Sequence, residues 1–245
     1  MRIDFLTLFP DFFTSPLSQS MLRRAQELGA VTFRVINLRD YAPGRHKVCD
    51  DRPFGGGPGM VLKIEPLVAA IRALRQEDPE AWVILLSPQG RLFDQGKAAE
   101  LAARPHLVLV CGHYEGVDDR IRFYVDEELS IGDFILTGGE IPALAVADAV
   151  TRLLPGVLGG QGAAAEESFQ TGLLEYPQYT RPRVFEGHAV PEVLLSGDHA
   201  AVAQWRRREA LKRTAKNRPD LLAKARLTPE DREFLKTLEK DLCQG

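Results

Sequence analysis

Through the first 155 residues, apolar runs of strand length alternate with amphipathic segments of helix length, and few folds accept that order. RIDFLTLF (2–9) and VTFRVINL (31–38) bracket LSQSMLRRAQEL, while IEPLVAAIRAL precedes WVILLS (82–87) and DQGKAAELAA precedes HLVLVCG (106–112). The alternation predicts βαβ units, and hence an α/β fold with a mostly parallel sheet and helices on both faces. In such sheets ligands bind beyond the carboxyl ends of the strands. GEIPALAVADAVTRLLP closes this part as a helix, with Pro142 tolerated in its first turn and Pro155 near its end.

From Gly156 the composition shifts to VLGGQGAAAEESFQTG, small residues without periodicity, which reads as a linker. The expected organisation is a sheet domain over 1–158, a flexible linker over 159–172 and a small C-terminal helical domain over 173–245. In the last, DHAAVAQWRRREALKRTAKN repeats apolar positions at helical spacing. A second helix is expected at TPEDREFLKTLEK, where Thr228, Pro229, Glu230 and Asp231 supply the N-terminal signals. No internal repeat or low-complexity tract is present. The formal net charge of −3 conceals a local excess: between Trp205 and Arg226 stand nine basic residues against two acidic ones. Such a run reads either as a solvated helix surface or as a phosphate-binding face.

A chain of 245 residues with 44% hydrophobic composition can bury a full core, which excludes disordered and collagen-like classes. Cys49, Cys111 and Cys243 stand far apart, without CxxC or histidine partners at ligand spacing, so neither a disulfide framework nor a zinc site is indicated. The N-terminal stretch meets Asp4, Pro10 and Asp11 before any apolar run reaches signal-peptide length, and nothing later approaches a spanning helix. The expectation is a cytoplasmic protein without a membrane partner.

Three glycine-bearing turns follow predicted strand ends: SPQGR (87–91), CGHYEG (111–116) and SIGDFILTGGE (130–140). Each alone reads as a tight turn, but together they describe one pocket whose bare backbone can approach and hydrogen-bond a planar ligand. RPFGGGPGM (52–60) contains G-x-G-x-G, yet the polar HKVCDDRPF before it is not the buried strand a dinucleotide fingerprint requires, and the Walker lysine is missing. A loop whose amides lie against a flat substrate, or a plain structural loop, fits better.

GRHKVCDDRPFGGGPGM, LLSPQG, CGHYEGVDDR, LSIGDFILTGGE, SFQTGLLEYPQYTRP and VPEVLLSGDH occur in that order over essentially the whole chain. Taken together they resemble the bacterial tRNA (guanine-N1)-methyltransferases of the SPOUT class. The resemblance implies transfer of a methyl group from S-adenosyl-L-methionine to N1 of guanosine 37 of tRNA, by a homodimer that binds the cofactor in a deep trefoil knot. It places Leu85, Ser87, Pro88, Gly112 and Glu115 on one wall of the cofactor site. Ser130, Ile131, Gly132, Asp133, Phe134, Ile135, Leu136, Gly138, Gly139 and Pro142 form the other. A side chain on Gly138 or Gly139 is then expected to intrude on the cofactor.

The family's general base, an aspartate just before Ser-Phe, is matched by Glu167 in AEESF, with Glu166 as the alternative; Arg152 matches its catalytic arginine. By the same resemblance Asp50, Gly57 and Gly59 come to the substrate guanine, with each active site shared between two subunits. Arg181, Arg183, Arg206, Arg207, Arg208 and Lys212 are candidates for tRNA phosphate contacts. Magnesium dependence is compatible with the family, although no dedicated metal site is visible. Two rivals stay open: a SPOUT enzyme acting on ribose 2'-oxygens, and a non-catalytic RNA-binding protein built on the same scaffold.

Overall fold

The computed structural model describes residues 1–159, 167–169 and 171–242. The chain divides into two compact units, Met1–Gly159 and Gly160–Gly245. The first runs β1 (Arg2–Thr7), α1 (Thr14–Leu17), α2 (Ser20–Glu27), β2 (Thr32–Asn37), β3 (Asp50–Asp51), β4 (Val61–Leu62), α3 (Ile64–Glu77), β5 (Trp82–Leu92), α4 (Gln95–Ala102), β6 (His106–Cys111), β7 (Glu127–Ser130) and α5 (Glu140–Thr151). Its central sheet has the order β2-β1-β6-β5-β7, and every pairing is parallel. Strands β3 and β4 form a separate antiparallel pair at the base of the glycine-rich loop.

Side-chain alternation along the strands sorts the core onto two faces. Ile3, Phe5, Ile84, Leu86, Leu107 and Leu109 pack under α2, α4 and α5, where Leu22, Leu101, Val146 and Val150 meet them. Leu6, Val83, Leu85, Val108 and Val110 pack on the other face under α3, through Leu67, Ile71 and Leu74. Because both faces are covered, β6 is buried at all six positions, which is why HLVLVC reads as an unbroken apolar run. Each such leucine, isoleucine or phenylalanine contributes roughly 1.5–3 kcal/mol by leaving water.

One charged cluster is built into this core, at the amino end of the strands. Asp4, completely buried in β1, accepts from Arg34 Nε at 3.0 Å and Nη2 at 2.8 Å, and His106 Nε2 lies 3.0 Å from it. Arg34 and Arg2 both reach Glu77 at the end of α3. Burial works against the Asp4 anion, but the hydrogen bonds from His106 and Arg34 outweigh it and hold the carboxyl below its ordinary range. The cluster ties β1, β2, β6 and α3 together at the edge away from the carboxyl ends.

In the second unit, β8 (Val184–Phe185) and β9 (His188–Ala189) make a short hairpin before the helices α6 (His199–Asn217), α7 (Pro219–Leu222) and α8 (Pro229–Leu242). Asp198 caps α6 by accepting from the amides of Ala200 and Ala201, each at 3.0 Å. At the start of α8, Thr228 and Asp231 cap each other reciprocally: Asp231 N donates to Thr228 Oγ1 and Thr228 N to Asp231 Oδ2. Leu173, Ala210 and Leu211 form the centre, with Tyr176, Leu222, Phe234 and Leu235 around them.

Candidate active site

β5 does not end at Ser87, as the SPQGR turn suggests. It pairs with β7 up to Leu86↔Leu129, loops out, and pairs with the same residue again at Arg91↔Leu129. Gly90 permits this: a Cβ there would stand 2.5 Å from the Glu128 carbonyl carbon and 2.6 Å from that of Leu129. The strand is therefore pressed backbone to backbone against β7, while Ser87, Pro88 and Gln89 are pushed out as a rim.

Beyond that rim, at the carboxyl ends of β5, β6 and β7, lies a cavity of about 560 Å³, within the range of small-molecule sites. Every residue expected at the cofactor lines it except Asp133. The chain turns sharply at Gly132 (φ +147°), Phe134 N donates back to Gly132 O at 3.0 Å, and Asp133 is left pointing to solvent on the outside of this turn. Gln89, His113, Tyr114, Asp119, Glu128 and Thr137 also line the cavity and were not singled out from the sequence. His113 and Tyr114 stand inside the CGHYEG motif, whereas Glu128 lies on β7, whose two adjacent glutamates conceal a strand.

The lining has a definite electrostatic character. Its residues include Glu115, Asp119 and Glu128 and, among the described residues, no lysine or arginine. A phosphate-bearing dinucleotide would meet repulsion there, whereas a cationic ligand with a nucleoside body would be favoured. Neither described cysteine offers a nucleophile. Burial drives the Cys111 thiol well above its ordinary value, with Glu140 adding to the shift, and burial also raises Cys49.

The glycine-rich loop is attached to this cavity. Glu115 N donates to Met60 O at 3.0 Å and Leu62 N to Gly116 O at 3.0 Å, so the loop ends on the cavity rim. A Cβ on Gly59 would collide with the Glu115 side chain, while Gly57 (φ +120°) has open space around it. Asp50 sits half-buried opposite Leu62 in the β3–β4 pair. Arg152, half-buried, is the C-cap of α5.

Gly139 has a reason within the fold itself, beside the one the resemblance implies. Its N–H donates to Gly112 O at 2.8 Å, and a Cβ on it would stand 2.6 Å from Cys111 Cα and 2.9 Å from Gly112 N. The glycine is required by the approach of two backbone segments to each other.

In the second unit, Glu167 is half-buried and precedes a turn held by Glu175 N donating to Ser168 Oγ at 2.9 Å and Phe169 N to Leu173 O at 2.8 Å. Glu166 and most of the 159–172 stretch lie outside the described residues. Arg181, Arg183, Arg208 and Lys212 are exposed. Arg206 stacks its guanidinium 4.7 Å from the Tyr176 ring centre. Arg207 is engaged within the unit: it donates to Asp231 Oδ2 at 2.7 Å and to Arg226 O at 3.1 Å, bracing α6 against the cap of α8. Among the described residues, no group of three or more His, Cys, Asp or Glu side chains is placed to hold a metal ion, and no helix is long and apolar enough to cross a membrane.

The chain is similar to known proteins along nearly all of its length. The family model described as tRNA (Guanine-1)-methyltransferase TrmD matches residues 1–224. A tRNA (guanine-N(1)-)-methyltransferase of Dictyoglomus turgidum is 54% identical over 242 residues, covering 99% of this chain and 98% of that protein. Its counterpart in Moorella thermoacetica is 56% identical over 243 residues, covering 98% and 97%. That in Halalkalibacterium halodurans is 55% identical over 242 residues, covering 98% of each. With the match running through both units, the chain belongs to the TrmD family of tRNA (guanine-1)-methyltransferases.

Proposed function

We propose that this protein transfers the methyl group of S-adenosylmethionine to N1 of guanosine 37 of tRNA, next to the anticodon. The observation that carries the reading is the acidic, glycine-walled cavity at the carboxyl end of the parallel sheet. S-adenosylmethionine supplies an electrophilic methyl group on a cationic sulfonium. The Glu115, Asp119 and Glu128 carboxylates suit that charge, and the backbone at 85–88, 112 and 130–139 suits an adenosine that needs both donors and acceptors. In this reading the cavity lies within a deep trefoil knot.

N1 of guanine carries a proton and becomes nucleophilic only as that proton leaves, so the reaction needs a base. Glu167 takes the proton, and Arg152 stabilises the negative charge that spreads to O6. Asp50 and the loop through Gly57 and Gly59 hold the guanine. Arg181, Arg183, Arg206, Arg208 and Lys212 follow the phosphates of the anticodon stem, and Arg207 supports them from behind. The active site is shared in a homodimer; exposed Phe9, Phe12, Phe134, Ile135 and Ile141 on the first unit supply apolar surface for such an interface. Magnesium is assigned no protein site of its own, and the cytoplasm, where tRNA is found, is the expected location.

The cavity assignment is tested by calorimetric titration of S-adenosylmethionine and, separately, of NAD⁺. Binding of the first without the second is expected. Equal binding of both, or binding of neither, would contradict it.

A further inference from the structure

Glu140 does not line the cavity, yet it is bonded to what does. Its side chain is 4% exposed and stands in the first turn of α5, where the helix amides favour an anion. Phe9 N donates to Thr7 Oγ1 at 2.9 Å, which leaves the hydroxyl proton of Thr7 for Glu140 Oε1, 2.6 Å away. The other carboxylate oxygen lies 2.6 Å from Nε2 of His113, and His113 forms part of the cavity lining. The Phe9 ring rests against the imidazole at a centroid distance of 4.7 Å. A Cβ on Gly138, which bridges to His113 through the backbone, would collide with the imidazole.

One buried carboxylate thus joins the end of β1, the turn after β6 and the start of α5. As a carboxylate, Glu140 can only accept, so it fixes His113 as an Nε2–H donor and holds the imidazole in a single orientation. Charge-assisted bonds of this length, shielded from water, are the stronger kind.

We propose that Glu140 is a positioning residue for the methyl donor, acting through His113: it holds the imidazole and the Gly138–Gly139 turn in the places that shape the cavity wall. The inference rests on the reading of the cavity as the S-adenosylmethionine site. Its effect falls on the methyl donor and spares the RNA.

The test uses the full-length protein, with calorimetric titration of S-adenosylmethionine and steady-state kinetics on a tRNA transcript. Glu140→Gln and His113→Ala are each expected to weaken S-adenosylmethionine binding roughly 10- to 100-fold, the loss of one charge-assisted hydrogen bond. KM for the donor should rise while KM for tRNA stays in place. The double variant should lose no more than the worse single one, and His113→Gln, which restores an N–H toward Glu140, should recover most of the affinity. Multiplied losses in the double variant, or wild-type donor affinity in a folded Glu140→Gln protein, would overturn the proposal. If Glu140→Gln fails to fold, the histidine pair decides: His113→Gln no better than His113→Ala overturns it equally. Failure of the wild type to bind S-adenosylmethionine would instead refute the cavity assignment.

Discussion

Alanine at Gly139 is expected to destabilise the fold of the first unit, and any loss of ligand binding should follow from that. The backbone there (φ −81°) suits any residue, so no conformational strain is added and the cost is steric. The new Cβ would stand 2.6 Å from Cys111 Cα, 2.9 Å from Gly112 N and 3.1 Å from the Cys111 carbonyl carbon. All three are main-chain atoms at the end of β6, which is held between β1 and β5 and cannot yield alone. Overpacking of this kind costs about 1–3 kcal/mol. Stretching the 2.8 Å bond from Gly139 N to Gly112 O adds about 0.5–1.5 kcal/mol. At about 2–4 °C per kcal/mol for a chain of this size, the midpoint should fall by roughly 3–18 °C. Thermal unfolding followed by circular dichroism at fixed protein concentration reads this directly. Gly156→Ala is the control: φ is +79° with nothing within 4 Å, so only the left-handed penalty of about 1–2 kcal/mol applies. A Gly139→Ala protein that melts with the wild type but no longer binds S-adenosylmethionine would show that the steric cost is absent and that the glycine serves the ligand.

Four further outcomes are expected. Asp4→Asn should cost about 3–5 kcal/mol at neutral pH, because it leaves a buried charged cluster unbalanced. The Asp4 carboxyl is held below its ordinary value, so its contribution is fully present above about pH 4 and is lost as pH falls through the depressed value; urea denaturation at several pH values should show the wild-type advantage shrinking in acid. Arg207→Ala should destabilise the second unit by about 1–3 kcal/mol, since Asp231 is buried and loses its cation, while Arg181→Ala should leave stability alone and lower the salt dependence of tRNA binding by about one unit of slope. A mixed dimer of Glu167→Gln with a cavity-blocked Leu85→Arg chain should recover activity that neither homodimer has; its absence in a verified heterodimer would contradict a shared site.

The parallel sheet was legible because strands buried on both faces cannot conceal their composition, and β1, β2 and β6 lie inside the runs that announce them. β7 was not legible: EELS begins with two glutamates, and only the folded chain shows Glu127 accepting from Trp82 Nε1 at 2.7 Å and pairing with Lys97 at 2.6 Å. The extension of β5 through Pro88 was hidden for a related reason, since a proline and a glycine mark the end of a strand unless the partner tolerates a bulge. The cavity residues were found through glycines and ordered motifs, but the reasons for individual glycines were not: Gly90 and Gly139 answer to neighbouring backbone. Arg207 shows the same limit in charge patterns, because a basic run does not reveal which cation faces a buried carboxylate.

In the proposed function this chain methylates guanosine 37 with Glu167 as base. Labelled S-adenosylmethionine offered to wild type and to Glu167→Gln with two unmodified tRNA transcripts, one with guanosine and one with adenosine at position 37, is the deciding measurement. Label is expected on the guanosine transcript alone, and it should be lost in the variant. Label on both transcripts or on neither would contradict the substrate, and full activity in Glu167→Gln would contradict the base.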